Sequence, residues 1–320
     1  MDKDRLINIL NKFKNKKIAV LGDVMLDLFT YGVIDRVNPE QPSAPLVRVH
    51  DDKYVLGGAS NVANNLTSLD AEVDLFGVMN FKSLEYHTFV EECAKHNINL
   101  IPFNDQGPII IKHRIIAHGQ QITRIDREET YAPSAEVVSN ILETLGESTY
   151  DGVILSDYNK GFFSESLSQS IIQLCKSKNI ATFVDPKPTN WQYFKGCDVV
   201  APNLKEAREI TDRHEIGDVC KSLLEKTEAK YVLVTCSEKG MVIYDGKRLY
   251  KAHTEQKETW SVAGAGDTVI SLMALARISG ASYDEAMQIA NLGASIVIDK
   301  VGTATTNKTE LMNKYGGDYE

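Results

Sequence analysis

The stretch SVAGAGDTVI, residues 261–270, sets two glycines and an alanine ahead of an aspartate and of an apolar, helix-forming run, TVISLMALARI. A helix start leaves several backbone N–H groups unpaired at the positive end of the helix dipole. Residues as small as Gly264, Ala265 and Gly266 let a ligand reach that backbone. The chemistry that suits such a place is anion binding. The same residues also fit a glycine-rich turn in which Asp267 merely caps the helix.

Further polar residues close a series of short apolar runs. KIAVLGD ends at Asp23, GVILSD at Asp157, ATFVD at Asp185 and DVVAPN at Asn203, while YVLVTC passes through Thr235. Segments with helical periodicity, such as 163–178 and 282–300, lie between them. This alternation predicts an α/β fold with a mostly parallel sheet flanked by helices, whose ligand crevice lies beyond the carboxyl ends of the strands. An aspartate after a strand is often only a turn former, but several at equivalent ends point to a shared crevice.

Two stretches break the alternation. Residues 28–50 are proline-rich and extended, and residues 109–126 read as two strands around a His118-Gly119 turn. In that hairpin Lys112 and Arg114 share a face of the first strand, and Ile122, Arg124 and Asp126 a face of the second. A small sheet without helices of its own is marginal alone, so it is expected to pack over the main domain, against a second copy, or both. The reading is a single domain, 1–320, with lid segments at about 28–50 and 109–126.

Composition bounds the partners. The 320 residues are 43% hydrophobic and 25% charged, with net charge −9 and a pI near 5.4, and the only short basic run is KFKNKK. That balance argues against a nucleic-acid partner. The charged N-terminus lacks the apolar core of a signal peptide and no segment approaches 18 uninterrupted apolar residues, so a cytoplasmic protein away from the membrane is expected. Cys93, Cys175, Cys197, Cys220 and Cys236 form no C-x-x-C pair and are read as reduced thiols, mostly core filler.

With these motifs in view, the sequence resembles the ribokinase-like (PfkB) carbohydrate kinases. AGAGDTV looks like that family's anion-hole signature, GGASNVANNLTSL its first sugar-binding loop and helix, PNLKE its magnesium-phosphate motif, and VTCSEKG the strand and turn bordering the nucleotide. Within the family, GDVMLDLFTYG, RVNPEQP, KHRIIAHGQQITRID, LSDYNKG and VDPK are similar in order and spacing to the D-glycero-D-manno-heptose 7-phosphate kinases of lipopolysaccharide core synthesis. In many bacteria that kinase is fused to a nucleotidyltransferase. Because this sequence stops at Glu320, the resemblance implies that a separate polypeptide carries out nucleotidyl transfer.

The resemblance implies ATP and Mg²⁺ as cofactors and a role for each motif residue. Asp267 would be the base that deprotonates the attacking sugar hydroxyl, kept ionised by the helix dipole, with Gly264, Ala265 and Gly266 as backbone donors to the transferring phosphoryl group. Asn203 and Glu206 would order a hydrated magnesium on ATP, Glu206 through water, although the pair also fits a helix cap completed by a capping box. Thr235, Ser237, Gly240 and Asn291 would line the nucleotide. For the sugar, the candidates are Asp23, Asp27, the tight loop Gly57, Gly58 and Asn61, and Asp157 with Lys160. A substrate bearing its own phosphate needs cations, and Lys112, Arg114, Arg124 and Arg36, with Lys160 and Lys187 as contributors, could supply them.

Three other readings remain open. The enzyme could phosphorylate another sugar or sugar phosphate. It could be a catalytically degenerate sugar or nucleotide sensor, because Ser261 and Ala263 replace the aspartate and threonine usual ahead of the glycines; the same change weakens the implied monovalent-cation site. A nicotinamide oxidoreductase is disfavoured, since GDVMLDL stands where G-x-G-x-x-G would follow the first strand.

Overall fold

A computed structural model of the chain describes residues 1–253, 264–300 and 303–317. Ser261 and Ala263 lie outside the described residues. In chain order the strands are β1 (Lys17–Gly22), β2 (Val24–Val33), β3 (Arg48–Gly58), β4 (Glu72–Met79), β5 (Asn99–Asn104), β6 (Ile110–Ala117) and β7 (Gln120–Arg127). They continue as β8 (Gly152–Ser156), β9 (Ala181–Asp185), β10 (Val199–Val200), β11 (Tyr231–Thr235), β12 (Met241–Tyr244) and β13 (Leu249–Ala252). The α-helices are α1 (Lys3–Asn11), α2 (Ala59–Thr67), α3 (Glu85–Lys95), α4 (Ala135–Glu147), α5 (Glu165–Ser177), α6 (Leu204–Thr211), α7 (Ile216–Thr227), α8 (Ala265–Ile278), α9 (Tyr283–Val297) and α10 (Lys308–Gly317).

Nine strands form one sheet in the order β13-β12-β11-β10-β9-β8-β1-β4-β5, parallel except where β12 and β13 pair antiparallel at one edge. Its central strands are apolar throughout because helices cover both faces. Along β1, Ile18 and Val20 enter the core beneath α1, α2, α8 and α9, while Ala19 and Leu21 enter the opposite core beneath α4, α5 and α7. This ribokinase-like α/β arrangement agrees with the expected fold class.

The second sheet has the order β3-β2-β6-β7. It is broader than the extended stretches suggested, since strand pairing begins at Val24 and returns through Gly58. Asp23 alone separates β1 from β2 and so forms the corner where the chain leaves the large sheet. The hairpin turns at His118 and Gly119, both with positive φ, 53° and 75°, as the primed two-residue turns require. Registry places Asp27 beside Lys112, Phe29 beside Arg114, Arg114 opposite Arg124 and Lys112 opposite Asp126, so these charges share one face.

Gly57 and Gly58 end β3 rather than forming a loop, and Asn61 lies in the first turn of α2. At Gly58 φ is 56°, and an added Cβ would sit 2.5 Å from the Asp23 carbonyl oxygen, which closes the corner around glycine. The five cysteines form no disulfide. No helix among the described residues is long and apolar enough to cross a membrane.

Candidate active site

Helix α8 begins over the carboxyl ends of the large sheet. Gly264 is its N-cap at φ 82° and supplies no side-chain hydrogen bond, so among the described residues no cap takes the first N–H groups, and Gly264 and Gly266 line a cavity. Asp267, third in the helix, does not cap it. Its buried carboxylate turns sideways, where Oδ2 accepts from Asn61 Nδ2 at 2.6 Å and Oδ1 from the Tyr158 hydroxyl at 2.6 Å. A polar seam between α2 and α8 fixes this geometry: Thr268 Oγ1 donates to Asn65 Oδ1 at 2.8 Å, and Asn65 Nδ2 donates to the Asn61 carbonyl at 2.9 Å.

Burial raises the pKa of Asp267, while the Tyr158 and Asn61 hydrogen bonds and the Lys187 charge oppose the shift. The ionisation expected from the helix dipole is therefore set against desolvation, and the result is a stronger base than an exposed aspartate. Beside it, burial pushes Asp185 up to about 8 despite Lys187, with Glu206, Asp267 and Asp157 adding repulsion.

A cavity of about 140 Å³ opens on Asp267, Asp185, Lys187, Glu206 and the backbone of Gly264 and Gly266. It adjoins a larger cleft of about 490 Å³ lined by Thr235, Ser237, Gly240, Asn291, Ala265 and Gly266. The four residues expected around the nucleotide thus meet the expected anion-binding backbone. Cys236, half-buried, joins them.

Asn203 and Glu206 do form the capping box of α6: Asn203 Oδ1 accepts from Glu206 N–H and Glu206 Oε2 from Asn203 N–H, each at 3.0 Å. Both nevertheless line the cavity, and Glu206 Oε1 accepts from Lys187 Nζ at 2.6 Å. Among the described residues no trio of His, Cys, Asp or Glu is spaced to hold a metal directly. Cap and cleft roles coexist here, and a hydrated ion completed by nucleotide phosphates is the form of magnesium that fits this donor set.

The expected sugar ligands divide. Asp23 is turned inward, accepting the backbone N–H groups of Tyr158, Lys160 and Phe162 at 2.9, 3.1 and 3.1 Å. Asp157 likewise accepts from the N–H of Asn159 and of Lys187 and from Asn190 Nδ2. Both carboxylates hold the loop after β8 rather than opening freely to a ligand. Asn61 orients Asp267 instead of lining a loop. On the lid, Asp27 is ion-paired with Arg114, Arg124 Nε lies 2.9 Å from Asp126, and Lys160 Nζ lies 2.8 Å from Glu128. Lys112 has no carboxylate partner among the described residues and reaches over the Tyr158 ring at 5.7 Å. Arg36 is exposed in a separate cleft of the loop between β2 and β3, away from Asp267.

Tyr158, Asn65 and Asp185 went unassigned in the sequence. Tyr158 and Asp185 sit at strand ends, inside the LSDYNKG and VDPK motifs, and that position was the signal for them; Asn65 falls inside the GGASNVANNLTSL motif, four residues after Asn61 and so on the same helix face.

Residues 15–310 match the pfkB family carbohydrate kinases, and the chain belongs to that family. Among curated relatives it is 35% identical over 314 residues to the bifunctional protein HldE of Desulfatibacillum aliphaticivorans, covering 93% of this chain and 63% of the relative. It is 37% identical over 317 residues to HldE of Actinobacillus pleuropneumoniae serotype 5b, covering 94% and 64%. The chain thus spans less than two thirds of the length of these relatives. Among solved structures, phosphofructokinase-2 of Escherichia coli in complex with potassium superposes with TM-score 0.77 at 19% identity, over 94% of this chain and 98% of that one. Ribokinase of Thermotoga maritima superposes with TM-score 0.71 at 17% identity, over 94% and 99%.

Proposed function

We propose that the protein transfers the terminal phosphoryl group of ATP to the anomeric hydroxyl of a heptose 7-phosphate, giving the 1,7-bisphosphate. The observation that carries the phosphoryl-transfer reading is the smaller cavity, where the buried Asp267 carboxylate lies beside the helix-start backbone of Gly264 and Gly266, and which meets the larger cleft at Gly266 and Thr235. The heptose assignment rests on the ordered motifs and on the HldE relatives.

In this reading Asp267 takes the hydroxyl proton, and the backbone of Gly264, Ala265 and Gly266 receives the phosphoryl oxygens. Lys187 and Lys112 offset the charge of the phosphates. Magnesium, held through water near Asn203 and Glu206, would neutralise phosphate charge on the nucleotide. Lys112 is the lid cation best placed for the phosphate already on the sugar. The enzyme works in the cytoplasm, where ATP is supplied. It pairs as a homodimer through the lid, whose Val37, Val49 and Ile125 are exposed.

An ADP-release assay over a panel of sugar phosphates tests the assignment. Fastest turnover of heptose 7-phosphate is expected. Turnover of hexose phosphates with none of the heptose would replace the substrate, and ATP binding without turnover of any sugar would favour the sensor reading, which the Ser261 and Ala263 departures support.

A further inference from the structure

Tyr158 stands where three parts of the site meet. Its hydroxyl donates to Asp267 Oδ1 at 2.6 Å, and the Nζ atoms of Lys187 and Lys112 lie 5.4 and 5.7 Å from its ring centre. Its own N–H donates to Asp23 Oδ2 at 2.9 Å, so the residue at the lid corner clamps the loop that carries the ring. Asn61 Nδ2 holds the other oxygen of Asp267.

We propose that Tyr158 is the positioning residue of the base: with Asn61 it pins both oxygens of Asp267 and aims the remaining lone pairs at the sugar hydroxyl. The proposal rests on the kinase reading of this site. One donor on each oxygen stops the carboxylate from rotating and leaves each oxygen a free acceptor position. Without Tyr158 the carboxylate is held on one side only, and small misplacements of a reacting group are costly.

In the step served, the sugar O–H bond breaks and its proton passes to Asp267. The freed electron pair forms a bond to the terminal phosphorus of ATP, and the bond from that phosphorus to its bridging oxygen breaks with its electrons going to ADP. Tyr158 keeps its own proton throughout, since burial and the nearby carboxylates Asp267, Asp185 and Asp27 raise its phenol well above the ordinary value. A hydroxyl that donates to a carboxylate favours the ionised form. The other charges around Asp267 are Lys187, which also favours ionisation, Asp27 and Asp185, which oppose it, Glu206, which lines the cavity, and Lys112 over the Tyr158 ring.

Tyr158→Phe removes the hydroxyl and keeps the ring between the lysines. The expected result is a kcat lower by about 10-fold to 10²-fold with KM for ATP nearly unchanged. The acid limb of the kcat profile should also move to higher pH, so the deficit is larger at low pH. A purely structural role would lower kcat equally at every pH. Carbon-13 NMR of labelled aspartate, assigned with Asp267→Asn, should show the Asp267 titration moving up in Tyr158→Phe without any substrate present. An unmoved acid limb together with an unmoved titration overturns the proposal.

The assays use whichever sugar the wild type phosphorylates fastest, so a different sugar preference revises the substrate and leaves this test intact. A wild type inactive on every sugar would sink the kinase reading, while the NMR titration would still decide whether Tyr158 holds Asp267.

Discussion

Replacing Asp267 by asparagine tests the site with the least disturbance to its surroundings. The amide is isosteric, its oxygen can still accept from Asn61 Nδ2, and its NH2 can donate to the Tyr158 oxygen, which accepts as readily as it donates. The backbone donors of Gly264, Ala265 and Gly266 are untouched. What is lost is the proton acceptor. A positioned general base contributes about 10² to 10⁴ in rate, or about 2.7 to 5.4 kcal/mol at 1.36 kcal/mol per decade. Asp267 is only 5% exposed, which leaves bulk water poorly placed to substitute as base and favours a large loss. The assay is initial-rate ADP release at saturating ATP and sugar, with ATP affinity followed by calorimetry. The expected outcome is a kcat reduced by at least about 10² with ATP affinity within roughly twofold of wild type. A kcat near wild type would refute the assignment of the base, and a parallel collapse of ATP binding would show that the carboxylate holds the fold of the loop rather than the proton.

The lid charges separate by partner. Lys112→Ala should raise KM for a phosphorylated sugar by about tenfold or more, the scale of one charge-assisted contact, while Arg124→Ala, half-exposed and paired with Asp126, should change it far less; equal effects would contradict this ranking. Arg114→Ala should instead lower stability in urea titrations, by about 3 to 5 kcal/mol, because it strands the buried Asp27 carboxylate. Asp185 provides a pH test. Its folded pKa, pushed up to about 8, lies above its unfolded value, so its contribution is fully present below pH 3.8 and is lost as pH rises through about 8. Asp185→Asn should therefore raise the melting temperature at pH 8 and gain nothing near pH 4, and scanning fluorimetry at the two values decides it. Light scattering at micromolar concentration should give a dimeric mass, which substituting lysine for Val49 and Ile125 on the lid should lower; a monomeric wild type would contradict the lid interface.

The fold class was legible because its strongest determinants are local. Central strands covered on both faces must be apolar runs, amphipathic helices must repeat at 3.6 residues, and the His118-Gly119 turn declares its hairpin. The helix start at Gly264 was legible for the same reason, since small residues followed by an apolar helical run mark it in the sequence. Side-chain direction was not legible. Asp23 and Asp157 close strand runs and Asp267 opens a helix, and the sequence assigns all three carboxylates to the one crevice. Only the packed chain turns the first two inward onto backbone N–H groups and leaves the third lining a cavity beside the helix-start backbone. Asn61 and Tyr158, 97 residues apart in the numbering, meet on one carboxylate because α2, α8 and the loop after β8 converge there. Arg114 looked like a phosphate ligand until its side chain proved to be ion-paired with Asp27, two positions back on the neighbouring strand from the residue it faces. Residue types and spacing determined which groups this protein carries to the crevice. Which of them neutralise one another, and which remain available to a substrate, depends on contacts between segments distant in the chain, and those exist only once the tertiary structure has formed.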